Sequence, residues 1–160
     1  MKSIYRLFAL SSLVVALVTV ASAQSTGKRN PAYDAELAKK LGGNDNGMKS
    51  YVLVILRTGP SDASVKGDER KKAFEGHFAN INKLADEGKL AVAGPFGKND
   101  KTFRGLFIMN TASVEEAQKW AEADPTVKSG IFVVDYIPWY GSASLMATNE
   151  IHKKISKTIE

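Results

Sequence analysis

Four short apolar runs follow one another along the chain, and what lies between them changes period each time. Few folds accommodate that order. The runs are Ser50 to Arg57, Leu90 to Phe96, Phe103 to Asn110 and Gly130 to Pro138. After the first comes a polar loop, Thr58 to Gly67. Then Phe74, Phe78, Ile81, Leu84 and Ala85 repeat at helical spacing, which predicts a helix from about Arg70 to Asp86, stopped by Gly88. Only the turn Gly97-Lys98-Asn99-Asp100-Lys101 separates the second and third runs. After the third, Ser113 and Glu116 form a capping box, so a second helix begins there and ends before Asp124-Pro125. Strand, helix, strand, strand, helix, strand is the ferredoxin-like βαββαβ plan of the α+β class.

The strands add a constraint. Val52 to Leu56 is apolar on both faces, as is Leu106 to Met109 and nearly so Ile131 to Ile137. An antiparallel sheet with one wet face alternates apolar and polar residues. Right-handed crossovers put both helices on one side of the sheet, so the other side needs its own cover. A homodimer joined through that sheet face is the economical solution. A cover made from the N- or C-terminal segment is the competing one.

The flanks carry different information. Lys2 and Arg6 precede an apolar run from Phe8 to Val20, and Ala21-Ser22-Ala23 is a small-residue cleavage site. The run is shorter than the ~20 residues a spanning helix needs. Residues 1–23 therefore read as a signal peptide of a secreted or periplasmic protein, with no membrane attachment after cleavage; an uncleaved anchor is the alternative. Residues 24–48 read as an N-terminal extension. In it Asn30-Pro31 suits a helix start, Tyr33, Leu37 and Leu41 recur every four residues, and Gly42-Gly43 suits a stop. Disorder throughout is the alternative for this segment. The domain spans 49–140, and 141–160 is a tail whose Ile151, Ile155 and Ile159 form the stripe of a docked amphipathic helix, with His152 solvated.

Removal of Lys2 and Arg6 with the signal lowers the formal charge from +5 to +3. No stretch interleaves clustered Lys and Arg with aromatics, so nucleic acid is not an expected partner. Lys71-Lys72 and Lys153-Lys154 read as solvated helix faces. The chain has no cysteine, which excludes disulfides, thiolate chemistry, cysteine zinc sites and a lipid-bearing N-terminal cysteine.

One residue interrupts the apolar stripe of the first helix. His77 lies three positions past Phe74 and four before Ile81, which points its ring inward, between helix and sheet. Ala93-Gly94-Pro95-Phe96 and Ala123-Asp124-Pro125 follow. With Tyr51 to Leu56, Glu87-Gly88-Lys89-Leu90, Gly105, Ser113 to Ala117 and Pro138-Trp139, their order from Lys49 to Trp139 resembles the YCII-related (YciI-like) domain family. Thr126 departs from the pattern, because the family usually carries an aromatic after Asp-Pro. The resemblance implies a dimeric α+β barrel and a catalytic pair, His77 with Asp124. It also offers analogies for the reaction class: some members resemble dehydrochlorinases of hydroxylated aromatics, and lactone isomerases share the wider fold.

Other chemistries find little support. The two histidines stand 75 residues apart, with no His-x-His or His-Glu-x-x-His, so no metal is expected. There is no Gly-x-Ser-x-Gly. Gly94-Pro95-Phe96-Gly97 contains a proline, which removes an amide donor from any phosphate loop, and no cofactor is expected. Proton transfer remains, since an imidazole held by a carboxylate acts as general acid or base near neutral pH. Pro125 biases Asp124 away from helix. Arg57 is a candidate to bind an anionic substrate group, or is a surface charge. Gly94, Pro95 and Phe96 are candidates for the substrate-binding wall, Gly94 by letting backbone approach closely; a plain strand-end turn is the alternative. Trp139 closes a pocket or packs at the dimer edge. The reading is an exported enzyme acting on a small organic molecule by elimination, isomerisation or hydrolysis. The alternative is a non-catalytic small-ligand-binding or assembly module.

Overall fold

The computed structural model describes residues 30–158. The signal peptide and cleavage site expected in residues 1–23, residues 24–29 and Ile159 lie outside the described residues. Asn30 does not start a helix; it closes a turn, accepting from Ala32 N at Oδ1 (3.0 Å) and from Tyr33 N at its carbonyl (3.2 Å). Helix α1 (Ala35–Leu41) is capped instead by Asp34, whose carboxylate accepts from Leu37 N at 2.9 Å, and it ends at Gly42 with φ 71°.

Strands β1 (Met48–Thr58), β2 (Leu90–Pro95), β3 (Phe103–Met109) and β4 (Phe132–Ser142) form one sheet in the order β2-β3-β1-β4, every pairing antiparallel. Helix α2 (Gly67–Asp86) links β1 to β2, and α3 (Val114–Ala121) follows β3. This is the expected α+β architecture. Val52, Val54 and Leu56 of β1 face the helices and pack with Phe107, Met109, Phe132, Leu84, Ala117 and Ala121. Each large aliphatic side chain buried there contributes roughly 1.5–3 kcal/mol.

Helix α2 begins at Gly67, three residues earlier than expected, with Asp68 and Glu69 in its first turn where the helix dipole favours acids. Its buried residues are Ala73, His77 and Leu84, while Phe78 is 56 % exposed. Adjacent helical residues point about 100° apart, and here His77 and Phe78 do not both face the core. The inward place goes to His77.

The odd-numbered residues of β1 face away from the helices. At one end of this second face Tyr51, Ala91 and Ile108 form a cluster with Leu53, Leu145 and Met146, the last two from a 3₁₀ segment (Ala143–Ala147). The C-terminal segment therefore covers the part of the face formed by β1, β2 and β3 around Tyr51, Ala91 and Ile108. Beside the cluster, along the edge strand β4, Val133, Ile137 and Trp139 are 36, 47 and 37 % exposed, with Ile137 opposite Leu53 and Trp139 opposite Tyr51. Helix α5 (Thr148–Ile155) does not dock through its isoleucines, since Ile151 and Ile155 are 54 and 74 % exposed. It docks through polar groups: Asn149 Nδ2 donates to Leu90 O at 2.7 Å, covering the free edge of β2. Among the described residues no helix is long and apolar enough to cross a membrane.

Candidate functional site

Asp124-Pro125 does more than stop a helix. Asp124 is extended (φ −68°, ψ 127°) and caps a further short helix, α4 (Pro125–Lys128), with proline at its first position. One carboxylate oxygen serves that helix: Oδ1 accepts from Thr126 N at 2.9 Å and from Thr126 Oγ1 at 2.7 Å. The other serves α2: Oδ2 accepts from His77 Nδ1 at 2.7 Å. His77 is 7 % exposed and Asp124 0 %.

Two residues that were not among the candidate site residues make this geometry. Thr126, where an aromatic was the family's usual choice, supplies a buried hydroxyl to Asp124 and stands 3.3 Å from His77 Nδ1. Gly76 lets α2 lie against α4, because a Cβ there would stand 2.6 Å from Pro125 Cγ. The available signal was glycine in mid-helix, which costs ~1 kcal/mol relative to alanine and so asks for a packing reason.

The imidazole sits among phenyl rings. It stacks on Phe107 (centroids 5.9 Å apart) and meets Phe74, Phe78 and Phe132 edge-on at 6.0, 5.5 and 5.8 Å. Burial pushes the Asp124 carboxyl up, but the hydrogen bonds from His77 and Thr126 together outweigh it and hold the group below its ordinary 3.8. An ionised carboxylate only accepts, so the Nδ1 of His77 carries the proton. Nε2 has no hydrogen-bond partner among the described residues and is not sealed from solvent.

A stability consequence follows from the depressed carboxyl. Its stabilising contribution is complete above the unfolded-state value near 3.8 and is lost as pH falls through the lower folded-state value. Urea midpoints of the wild type and Asp124→Asn, measured from pH 6 down to pH 2.5, are expected to converge in acid. A gap that stayed constant would contradict the depression.

His77 lines a cleft of about 1240 Å³ that runs from Phe74 and Phe107 outward past the end of β2 to α5. Gly94, Pro95 and Phe96 line it, with Phe96 against Phe103 at 5.6 Å. The reason given for Gly94 does not hold, since a Cβ there would meet nothing within 4 Å. Arg57 is not at the cleft. It lies on the opposite sheet face, where Nη2 donates to Asp135 Oδ1 at 2.8 Å and Nε stands 2.7 Å from Oδ2, off the line of a hydrogen bond. Alternation along β1 makes this unavoidable once Leu56 faces the helices. Trp139 is on that opposite face too, 5.8 Å from Tyr51. His152 and Lys153 of the tail do line the cleft. Among the described residues no three His, Asp or Glu side chains gather as a metal-ligand set.

Several known proteins are similar to this chain. Protein YciI of Escherichia coli is 36 % identical over 72 residues, covering 41 % of this chain and 74 % of that protein. YjpA of Bacillus subtilis is 30 % identical over 83 residues, covering 52 % and 85 %. Among solved structures, the 5-chloro-2-hydroxyhydroquinone dehydrochlorinase TftG of Burkholderia phenoliruptrix, in complex with 2,5-dihydroxybenzoquinone, is 28 % identical. That match covers 55 % of this chain and 92 % of TftG, with a TM-score of 0.39. The description of the YCII-related domain matches residues 51–140, more than half of the chain, and the chain belongs to that family.

Proposed function

We propose that the cleft is an active site for acid–base chemistry on a small organic molecule. His77 Nε2 takes or gives the proton, while Asp124 behind it holds the Nδ1–H and stabilises the imidazolium. The observation that supports this is the split between the ring nitrogens. One is anchored at 2.7 Å to a buried carboxylate, and the other is open at the floor of the cleft. A histidine kept only for packing would have both nitrogens satisfied or sealed. A positioned group of this kind accelerates proton transfer ~10²–10⁴-fold, which suits elimination, isomerisation or hydrolysis. The test is incubation of wild type and Asp124→Asn with a small-molecule library, followed by mass spectrometry. A compound depleted by the wild type alone is the expected result. Equal depletion by both proteins would overturn the reading, and binding without depletion would leave the non-catalytic module.

Homodimerisation and export belong to the same proposal. The β4 side of the second sheet face exposes Val133, Ile137 and Trp139, and the charged pair there, Arg57 with Asp135, is already mutually neutralised. A second copy is the cover this patch suits. Ile137→Asp is expected to convert a dimer to a monomer by light scattering. A monomer mass for the wild type at micromolar concentration would count against it. Export rests on residues 1–23, and the intact mass of the exported protein should begin at Gln24; retention of the leader would refute cleavage.

A further inference from the structure

The C-terminal helix lies beyond the residues matched to the family, yet Thr148, Asn149, His152 and Lys153 line the cleft. Resting on the reading of the cleft as a ligand site, we propose that α5 is a recognition wall that fits the cleft to a small organic anion with an apolar, ring-sized body. The floor is carbon: Phe74, Phe78, Ile81 and Phe107 line it. The charges are lopsided. Lys98, Arg104 and Lys153 line the cleft against a single carboxylate, Asp86. Lys153 Nζ stands 3.0 Å from Asp86 Oδ1, so a cation supplied by α5 cancels that carboxylate. Lys98 and Arg104 have no carboxylate partner among the described residues. Two uncommitted cations thus border an aromatic floor. A neutral ligand gains nothing from them, a cationic one is repelled, and the guanidinium fork matches an oxyanion in two-point fashion.

Edge protection is the plainer account of α5, and it explains Asn149 on β2. It does not explain the link to Asp86. The side chains of Lys153 and Asp86 are 72 and 67 % exposed, and an ion pair that exposed adds little to the fold.

The test uses 2-naphthoate and its uncharged counterpart 2-naphthalenemethanol, with binding followed by the ring signals of His77 in NMR. Lys153→Ala and Asp86→Asn break the same ion pair from opposite sides. If α5 sets the charge of the cleft, Lys153→Ala uncovers Asp86 and weakens naphthoate about fivefold, whereas Asp86→Asn strengthens it by a similar factor. The alcohol is expected to be indifferent to both. A mere tether would make the two variants act alike. Same-direction or absent effects, with both compounds still shifting the His77 signals, would overturn the recognition role and leave the cleft reading standing. If neither compound moves those signals in the wild type, the cleft reading falls and this inference with it.

Discussion

Asp124→Asn is expected to lower turnover about 10²- to 10⁴-fold while keeping the shape of the site. The reason is directional. Oδ1 already accepts two hydrogen bonds from Thr126, so the asparagine oxygen is drawn to that side. Its amide then faces His77 Nδ1, where the wild type has Oδ2 at 2.7 Å. An amide N–H donates, so Nδ1 must become the acceptor and the ring proton moves to Nε2. The nitrogen at the cleft floor is then no longer a base. Nitrogen NMR of His77 reads this tautomer change without any substrate in hand. An Nε2 that stays unprotonated in Asp124→Asn would remove the physical basis of the predicted loss.

His77→Ala is expected to be costly in a different way. A catalytic side chain at a cleft usually tolerates truncation, but this ring is also packed. Four phenyl rings lie within 6.0 Å of it, and only 7 % of the residue is exposed. Its removal leaves a gap among those rings and deprives Asp124 of one donor. The orphaned acceptor costs ~1–3 kcal/mol and the gap adds a cavity cost; water entering from the cleft offsets part of both. A net loss of roughly 2–4 kcal/mol corresponds to a melting temperature lower by about 10 °C for a domain of this size. Calorimetry checks it. A variant melting within 2 °C of the wild type would show that the ring does little packing. Loss of activity in His77→Ala alone is therefore ambiguous, and the asparagine at 124 is the cleaner probe.

The order of elements was legible because each periodicity in the sequence belongs to one kind of element and the turns between them are short. The inward setting of His77 was legible for the same reason. Its neighbour was not: Phe78 fits the same apolar stripe, and only the bond to Asp124 decides which of the two turns in. Asp124-Pro125 reads equally as a stop and as a start, and the four-residue α4 is too short to show a period. Arg57 was misplaced because alternation tells which residues share a face but not which face meets the helices. Of the two covers weighed for the second face, the C-terminal segment supplies Leu145 and Met146 over the Tyr51 cluster, while Val133, Ile137 and Trp139 of β4 are exposed in the single chain.

The cap at Asp124 separates two properties that many sites entangle. The hydrogen bonds that hold its carboxylate come from within α2 and α4. The outer walls of the cleft are the end of β2, the turn after it and α5, and none of them bonds to the pair. Those walls can therefore be rewritten without disturbing the His77–Asp124 pair. Variation can run freely in one part of the molecule while the anchored ring geometry persists in the other.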